Sequence, residues 1–212
     1  MRRLLHGLLL ASLLLGACGG DGDGNDRAAV TSIPDDTTTS TTTTVPRTVA
    51  PDVIPQDVSL ITEEYVEQVL NELLEVSGDA LRVAIQEGLV EERAIALIEA
   101  TSSSGTVTDD LNELLDIVST GFAGIKDKPT SMRVAVIEVL VAQRDCVLAE
   151  VKLDRSGVVQ GAPADEPNLR TFAKLVPAAD EQRASGHNPT AWVTDGLPTT
   201  SDGSAPPSGC SA

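Results

Sequence analysis

The sequence predicts an α+β fold in which N-terminal helices pack on one side of a curved antiparallel sheet, preceded by a disordered tether. Three observations predict it. Apolar residues recur at helical spacing in the first half of the domain. In the second half they form runs that are typical of strands. They are sparse in the segment that precedes the domain, which is rich in Thr, Pro, Gly and Asp. Helices followed by strands is the order typical of α+β domains. We assign residues 1–17 to a signal peptide, 18–57 to the tether, 58–198 to the domain and 199–212 to a polar tail.

The N-terminus has the organisation of a bacterial lipoprotein signal. The apolar run that follows two arginines, residues 4–15, is too short to cross about 30 Å of hydrocarbon, which needs about 20 residues. It ends in Leu15-Gly16-Ala17-Cys18, which resembles the lipobox, where the cysteine is acylated, for example with palmitate, and becomes the new N-terminus. We therefore expect a lipid on Cys18 and a place on the outer face of the cytoplasmic membrane. The alternative is an ordinary secretory signal cleaved near Ala17.

The segment after Cys18 is predicted to be a spacer. Residues 19–57 show no apolar periodicity, and residues 37–44 are threonine except for Ser40. Such a composition buries too little apolar surface to offset the entropy of ordering. About 39 flexible residues would hold the domain roughly 30–40 Å from its lipid on average. The threonine run beside prolines also suggests O-glycosylation as a hypothesis.

Helical periodicity begins near Thr62, the expected N-cap of the first helix. We expect Gly78 to break or kink this helix and Gly88 to end it. A further helix is predicted over about residues 90–100, and another begins near residue 106 or 108. The buried face predicted for this last helix consists of Leu111, Leu114, Leu115, Val118 and Phe122.

Four strands are predicted in the second half. The strongest signal is a hairpin, in which a valine-rich run over residues 133–143 turns at Arg144-Asp145 and returns with alternation. A polar connection without an element of its own is predicted over residues 179–190. The remaining strands are placed over residues 146–153, 170–176 and 191–194.

Several short motifs of the domain occur in a characteristic order. These are Gly78-Asp79-Ala80-Leu81-Arg82, Asp145-Cys146-Val147, Asn188-Pro189-Thr190 before Trp192, Asp195-Gly196, and a Pro-rich tail ending in Cys210. Together they resemble a family of uncharacterised actinobacterial lipoproteins over about residues 60–210. That family usually has proline directly before the tryptophan, where this chain has Ala191.

The resemblance implies the cystatin-like cone of the nuclear-transport-factor-2-like (SnoaL-like) superfamily. That fold has five or six strands where the sequence indicates four, so short strands lie around residues 101–107 or 156–162, or the cone is reduced. The superfamily includes isomerases, hydrolases, dehydratases and non-catalytic binding modules, so the fold alone does not define the function.

Two cysteines remain once Cys18 carries a lipid. An even count in a compartment that can be oxidising predicts a disulfide between Cys146 and Cys210. Closing a loop of about 65 residues would stabilise the domain by about 4 kcal/mol on the chain-entropy model. The alternative is two free thiols, with Cys146 buried as a small hydrophobic residue.

No catalytic or metal-binding motif is found. His187, the only histidine after the signal segment, lies in a predicted surface turn without the activated serine and orienting acid of a triad. Too few His and Cys residues remain for a usual zinc site. Phosphate-binding glycine loops of recognised spacing are lacking, so no cofactor is predicted.

A candidate pocket is formed by Tyr65, Glu138, Glu150 and Trp192. In cone-fold enzymes, as the resemblance implies, a carboxylate and a tyrosine often face each other inside an apolar cavity. A glutamate pointing inward beside Tyr65 would allow a general-base role, whereas strand alternation equally permits an outward position. Trp192 would line the same cavity or pack in the core.

The charge of the chain limits its partners. The formal net charge is -17, which argues against nucleic acid and against electrostatic docking on anionic lipid. The acidity is uneven: residues 58–125 hold 14 acids and 2 bases, and residues 126–198 hold 10 and 9. The near-neutral sheet half is therefore the expected place of a ligand or partner.

These features favour a lipid-anchored envelope protein whose domain binds a small apolar ligand or an envelope protein without catalysis. The alternative is a small cone-fold enzyme, an isomerase or hydrolase acting on an apolar substrate. A third possibility is a structural envelope component, which would have a filled core and a flat apolar surface patch.

Overall fold

The computed structural model describes residues 49–161, 169–197 and 210 of the chain. The order of its elements is that of an α+β domain, with helices first and an antiparallel sheet second. A short 3-10 helix, Val58–Leu60, precedes the first long helix. The helices are α1 (Glu63–Glu87), α2 (Glu92–Thr101), α3 (Val107–Ser119) and α4 (Asp180–Ala184). The strands are β1 (Arg133–Ala142), β2 (Val147–Asp154), β3 (Leu169–Pro177) and β4 (Trp192–Thr194).

The four strands form one antiparallel sheet in sequence order, β1-β2-β3-β4. One face packs against α1, and the alternating residues of β2 explain which face this is. The side chains of β2 that are buried against the helix are Val147, Ala149, Val151 and Leu153. A second apolar cluster packs the C-terminal half of α1 against α2 and α3. Helix α1 therefore contacts the sheet mainly along its N-terminal half and the other two long helices along its C-terminal half.

Helix α1 begins and ends where the sequence predicts. The Thr62 hydroxyl accepts a hydrogen bond from the Tyr65 amide at 3.3 Å, and Gly88 ends the helix at φ 71°, the left-handed region that glycine adopts without strain.

The expectation that Gly78 breaks or kinks α1 is wrong. The helix runs through this position without interruption. A Cβ on Gly78 would lie 2.6 Å from the Ser131 Oγ and 3.2 Å from the Ser131 Cα. Gly78 is therefore explained by close packing against the segment before β1, and this contact outweighs the lower helix propensity of glycine.

Helix α3 presents a narrower buried face than predicted. Leu114 is buried, whereas Leu115 is 49% exposed, so the prediction that Leu115 is buried is wrong. Leu111, Val118 and Phe122 are half-buried and pack against the second cluster. Only one side of α3 contacts other helices, so Leu114 on that side is buried while its neighbour Leu115 is exposed to solvent.

Polar side chains of α1 bind the free edge of the sheet at β1. Asn71 accepts from the Val134 amide and donates to the Val134 carbonyl, both at 3.0 Å. Glu67 accepts from the Val136 amide at 3.0 Å. These bonds satisfy backbone groups that an edge strand otherwise leaves open, and they fix the position of the helix along the sheet.

Some local structure was missed or predicted only approximately. Helix α4 lies in the segment expected to be an irregular polar connection. At the two places where further short strands were considered, the structure has isolated bridges, Ser102 with Thr194 and Ile125 with Val159. The four named strands agree with those predicted, to within a residue or two at each end.

Cys146 and Cys210 form a disulfide in the structure, with their Cα atoms 5.6 Å apart. It joins the tail to the residue before β2, as the sequence predicts. The signal peptide, Cys18 and residues 19–48 of the tether lie outside the described residues, as do residues 199–209 of the tail. Within the described part of the chain, none of the helices is both long enough and apolar enough to cross a membrane.

Candidate functional site

Two of the four predicted pocket residues, Tyr65 and Trp192, meet inside the core. The Trp192 Nε1–H donates to the Tyr65 hydroxyl at 2.7 Å, and that hydroxyl donates to the Val53 carbonyl at 2.8 Å. Tyr65 is 4% exposed and Trp192 is fully buried. Burial raises the pKa of the Tyr65 hydroxyl, although the hydrogen bond from Trp192 opposes this. Tyr65 is therefore a protonated structural group that links α1, β4 and the segment before α1.

The turn before β4 sets the position of Trp192. Asn188 accepts from the Thr190 amide at 2.8 Å and donates to the Trp192 carbonyl at 2.9 Å. The Ala191 amide donates to the Pro51 carbonyl at 2.9 Å. A proline at position 191 could not make this last bond, so the alanine is consistent with its surroundings.

The two glutamates of the predicted pocket lie apart from Tyr65. Glu138 and Glu150 face each other across β1 and β2 on the side of the sheet opposite α1. Glu138 is exposed, and Glu150 forms an ion pair with Arg170 at 3.1 Å. The structure therefore brings the tyrosine and tryptophan together but not the carboxylates, and the general-base arrangement beside Tyr65 is not formed.

A cavity of about 250 Å³ lies instead beside the second half of α1, between this helix, α2, α3 and residues at or next to the ends of β1, β2 and β4. This volume is just below the range of about 300–1,000 Å³ typical of ligand pockets. Its walls are mostly apolar and come from α1, α2, α3 and the loops around them. The apolar lining residues are Leu73, Leu74, Leu81, Ile98, Leu114, Ile117, Ile125, Met132, Val158, Val159 and Leu197. The remaining lining residues are Ser77, Gly78, Ser102, Asp110, Glu113, Arg155, Thr194 and Gly196.

Helix α3 forms a wall of this cavity with both acidic and apolar side chains. Its lining residues Asp110, Glu113, Leu114 and Ile117 have the i, i+3, i+4, i+7 spacing of one helix face. Asp110 lies toward the start of the helix, Glu113 at its middle and Ile117 toward its end. The same face therefore offers a carboxylate near the start of the helix and apolar surface near its end.

Asp110 is the most distinctive polar group of the cavity. It is half-buried, and the buried Ser102 donates a hydrogen bond to its side chain. Burial raises the pKa of Asp110, the negative charge of Asp109 adds to this, and the bond from Ser102 opposes it. A carboxylate in an apolar cavity with a raised pKa is a recognised mark of functional sites.

The loop between α2 and α3 is fixed to β4 beside Asp110. The Ser103 amide donates to the Thr194 carbonyl at 2.8 Å, and its hydroxyl donates to the Asp195 carboxylate. Lys174 Nζ lies 2.8 Å from the other carboxylate oxygen of Asp195. Burial alone would raise the pKa of Asp195, but the bonds from Lys174 and Ser103 together with the charge of Lys174 lower it. Asp195 is therefore ionised, and it connects Ser103 in the loop before α3 to Lys174 of β3.

The wall at Gly78 contains an unsatisfied group. The Ser131 hydroxyl, which packs against Gly78, is buried and is the single described side-chain atom that is buried without a hydrogen-bond partner. A larger residue at position 78 could not be accommodated without moving this segment.

No group of three or more His, Cys, Asp or Glu residues in the described ranges could hold a metal ion. His187 lies in an exposed turn, where its amide donates to the Ser185 hydroxyl at 3.1 Å.

The sequence contains a signal for this cavity. Asp110 is one of two acids in the first turn of α3, where such residues are ordinary. Its position four and seven residues before Leu114 and Ile117 places it on the buried face, and this spacing could have identified it. The near-neutral sheet half is where the sequence predicts a ligand, and this cavity takes its walls from both halves: seven of its lining residues follow residue 125, and the others belong to the acidic helical half.

Comparison with known proteins gave no match to this chain among protein-family models, curated proteins or solved structures.

We predict that Tyr65→Phe destabilises the domain by about 1–3 kcal/mol, because the Trp192 N–H and the Val53 carbonyl then lose a buried partner. Urea unfolding would measure the loss. In a cycle with Trp192→Phe, the double variant should lose less than the sum of the single variants, since no indole N–H remains to be satisfied. Strict additivity would contradict the role given to this bond.

We predict that Asp110→Asn raises the melting temperature at pH 7, because the fold raises the pKa of this group above its ordinary value of 3.8 and so disfavours its charge. The sign follows from linkage: wild-type stability falls as pH rises from about 3.8 through the folded pKa, whereas the asparagine variant lacks this fall. The difference between them should therefore vanish in acid. Asp109→Asn, on the same helical turn, is the control, and an equal gain there would contradict the assignment.

Proposed function

We propose that the protein is a lipid-anchored protein of the bacterial envelope whose α+β domain binds a small apolar ligand without catalysis. The observation that carries the binding part of the proposal is the cavity of about 250 Å³ walled mainly by apolar side chains of α1, α2 and α3. Apolar cavities with a few convergent polar groups are the usual form of small-molecule sites.

The sequence supports the anchor. A short apolar run ending in Leu15-Gly16-Ala17-Cys18 is typical of lipoprotein signals, and the Thr- and Pro-rich residues after it suit a spacer between lipid and domain. The resemblance of the domain motifs to actinobacterial lipoproteins supports the same location, the outer face of the cytoplasmic membrane.

We propose that the fold is a reduced cone, with four strands in its sheet. Two register shifts interrupt the pairing of β1 with β2, between Val136 and Glu138 and between Val139 and Val141. Such irregularities bend a strand and increase its twist. A sheet bent in this way around α1 would agree with a cone that has four strands and isolated bridges where further strands would lie.

Binding is favoured over catalysis by the position of the carboxylates. The enzyme alternative depended on an inward glutamate beside Tyr65, and both Glu138 and Glu150 lie on the opposite face of the sheet. The inward face around Tyr65 and Trp192 is filled with apolar side chains.

The anchor predicts that Cys18→Ser abolishes membrane attachment. The thiol is the group that receives the lipid, and a serine hydroxyl does not replace it. Metabolic labelling with a fatty acid, followed by separation of membrane and soluble fractions in the source organism, would measure this. Equal labelling of the variant and the wild type would refute the anchor, and Cys146→Ser serves as a control for losing a cysteine elsewhere.

The cavity predicts that toluene binds the wild type and raises its melting temperature. Stabilisation by a ligand follows RT ln(1 + [L]/Kd), about 1.4 kcal/mol at ten times Kd, or several degrees for a domain of this size. Ile117→Trp, which fills the cavity from α3, should lose the response. Leu115→Trp adds the same side chain on the exposed face of that helix and should keep it. Loss of the response in both variants, or in neither, would contradict the assignment of the cavity.

A further inference from the structure

Three polar residues that line the cavity are direct neighbours. Ser102 donates to Asp110, and Ser102 forms an isolated bridge with Thr194. All three line the cavity, so they make a contiguous polar end that faces apolar walls. A ligand that fills the cavity would therefore place its own polar group against this end.

The hydrogen-bonding capacity of that polar end consists mainly of acceptors. The Thr194 hydroxyl already donates to the Thr101 carbonyl at 3.1 Å, and the Ser102 hydroxyl donates to Asp110. An ionised carboxylate has about four acceptor positions, and among the described residues Ser102 is the hydrogen-bond donor that acts on Asp110. Asp110 therefore retains the capacity to accept hydrogen bonds from a ligand.

The charge at this end favours the same kind of ligand. Two carboxylates, Asp110 and Glu113, and one guanidinium, Arg155, line the cavity. They belong to a domain whose helical half, residues 58–125, carries 14 acids and 2 bases. A concave surface of one dominant sign concentrates ions of the opposite sign.

We infer that the cavity selects small apolar molecules whose polar end is a hydrogen-bond donor, above all a protonated primary amine, with the Asp110 carboxylate as its acceptor. This inference depends on the proposed function, because it names the ligand class of the same cavity. A ligand of the same length that ends in a carboxylate would place its negative charge against that of Asp110 and bind more weakly.

Three probes of equal chain length test the inference: hexylammonium, hexanol and hexanoate, titrated into the protein at pH 7 by calorimetry. Hexylammonium should bind about tenfold more tightly than hexanol, because hydrogen bonds to charged groups contribute more than neutral ones. Hexanoate should bind most weakly. Asp110→Asn should weaken hexylammonium about tenfold and leave hexanol within about twofold, and Asp109→Asn should change neither.

The outcomes separate the inference from the proposed function. If hexanol binds but hexylammonium binds no tighter, or if Asp110→Asn keeps the full preference for the amine, the inference is overturned while apolar binding stands. If hexanoate binds tightest, Arg155 and not Asp110 sets the selectivity, and the inference is again overturned. If neither toluene nor any of the three probes binds, the proposed function itself fails.

Discussion

The fold depends on one hydrogen bond in its core. Because the indole N–H of Trp192 is buried away from water, it needs a hydrogen-bond acceptor from the protein. Trp192 is fully buried at the end of the sheet, and in the described structure the acceptor is the Tyr65 hydroxyl on α1. That hydroxyl is satisfied in turn by the Val53 carbonyl. Because an unpaired polar group in such a place costs about 1–3 kcal/mol, the last strand, the first long helix and the segment before it are held in one arrangement.

The cavity follows from this arrangement. Once β4 is fixed, the Thr194 carbonyl and the Asp195 carboxylate hold Ser103 in the loop between α2 and α3. That loop sets where α3 begins, and the first turns of α3 carry Asp110. The polar end of the cavity is therefore positioned by hydrogen bonds to β4 and the residue after it, while its apolar walls come mainly from α1, α2, α3 and the loops beside them.

The role of a residue could be predicted from the sequence where the residue acts on its own stretch of backbone. It could not be predicted where the role depends on a residue that is distant in the chain. Thr62 and Gly88 act through their own backbone, and both were identified as the limits of α1. Gly78 was misread because its reason is the Ser131 side chain, 53 positions away in the chain. Leu115 was misread because an apolar repeat does not show how many neighbours a helix has, and α3 has helices on one side only. The sheet was predicted well since its hairpin is local.

The site was harder to predict than the fold for a related reason. Tyr65 and Trp192 are the single tyrosine and the single tryptophan of the chain. Large aromatic side chains bury much surface, and both of these residues lie in the core. Asp110 was not chosen, because acids are common in this half of the domain and its neighbour Asp109 looks the same in sequence. What distinguishes Asp110 is its place on the buried face of α3, above Leu114 and Ile117. The concentration of acid on the helices thus extends into the cavity itself, where the partly buried carboxylate of Asp110 is the basis of the ligand preference that we propose.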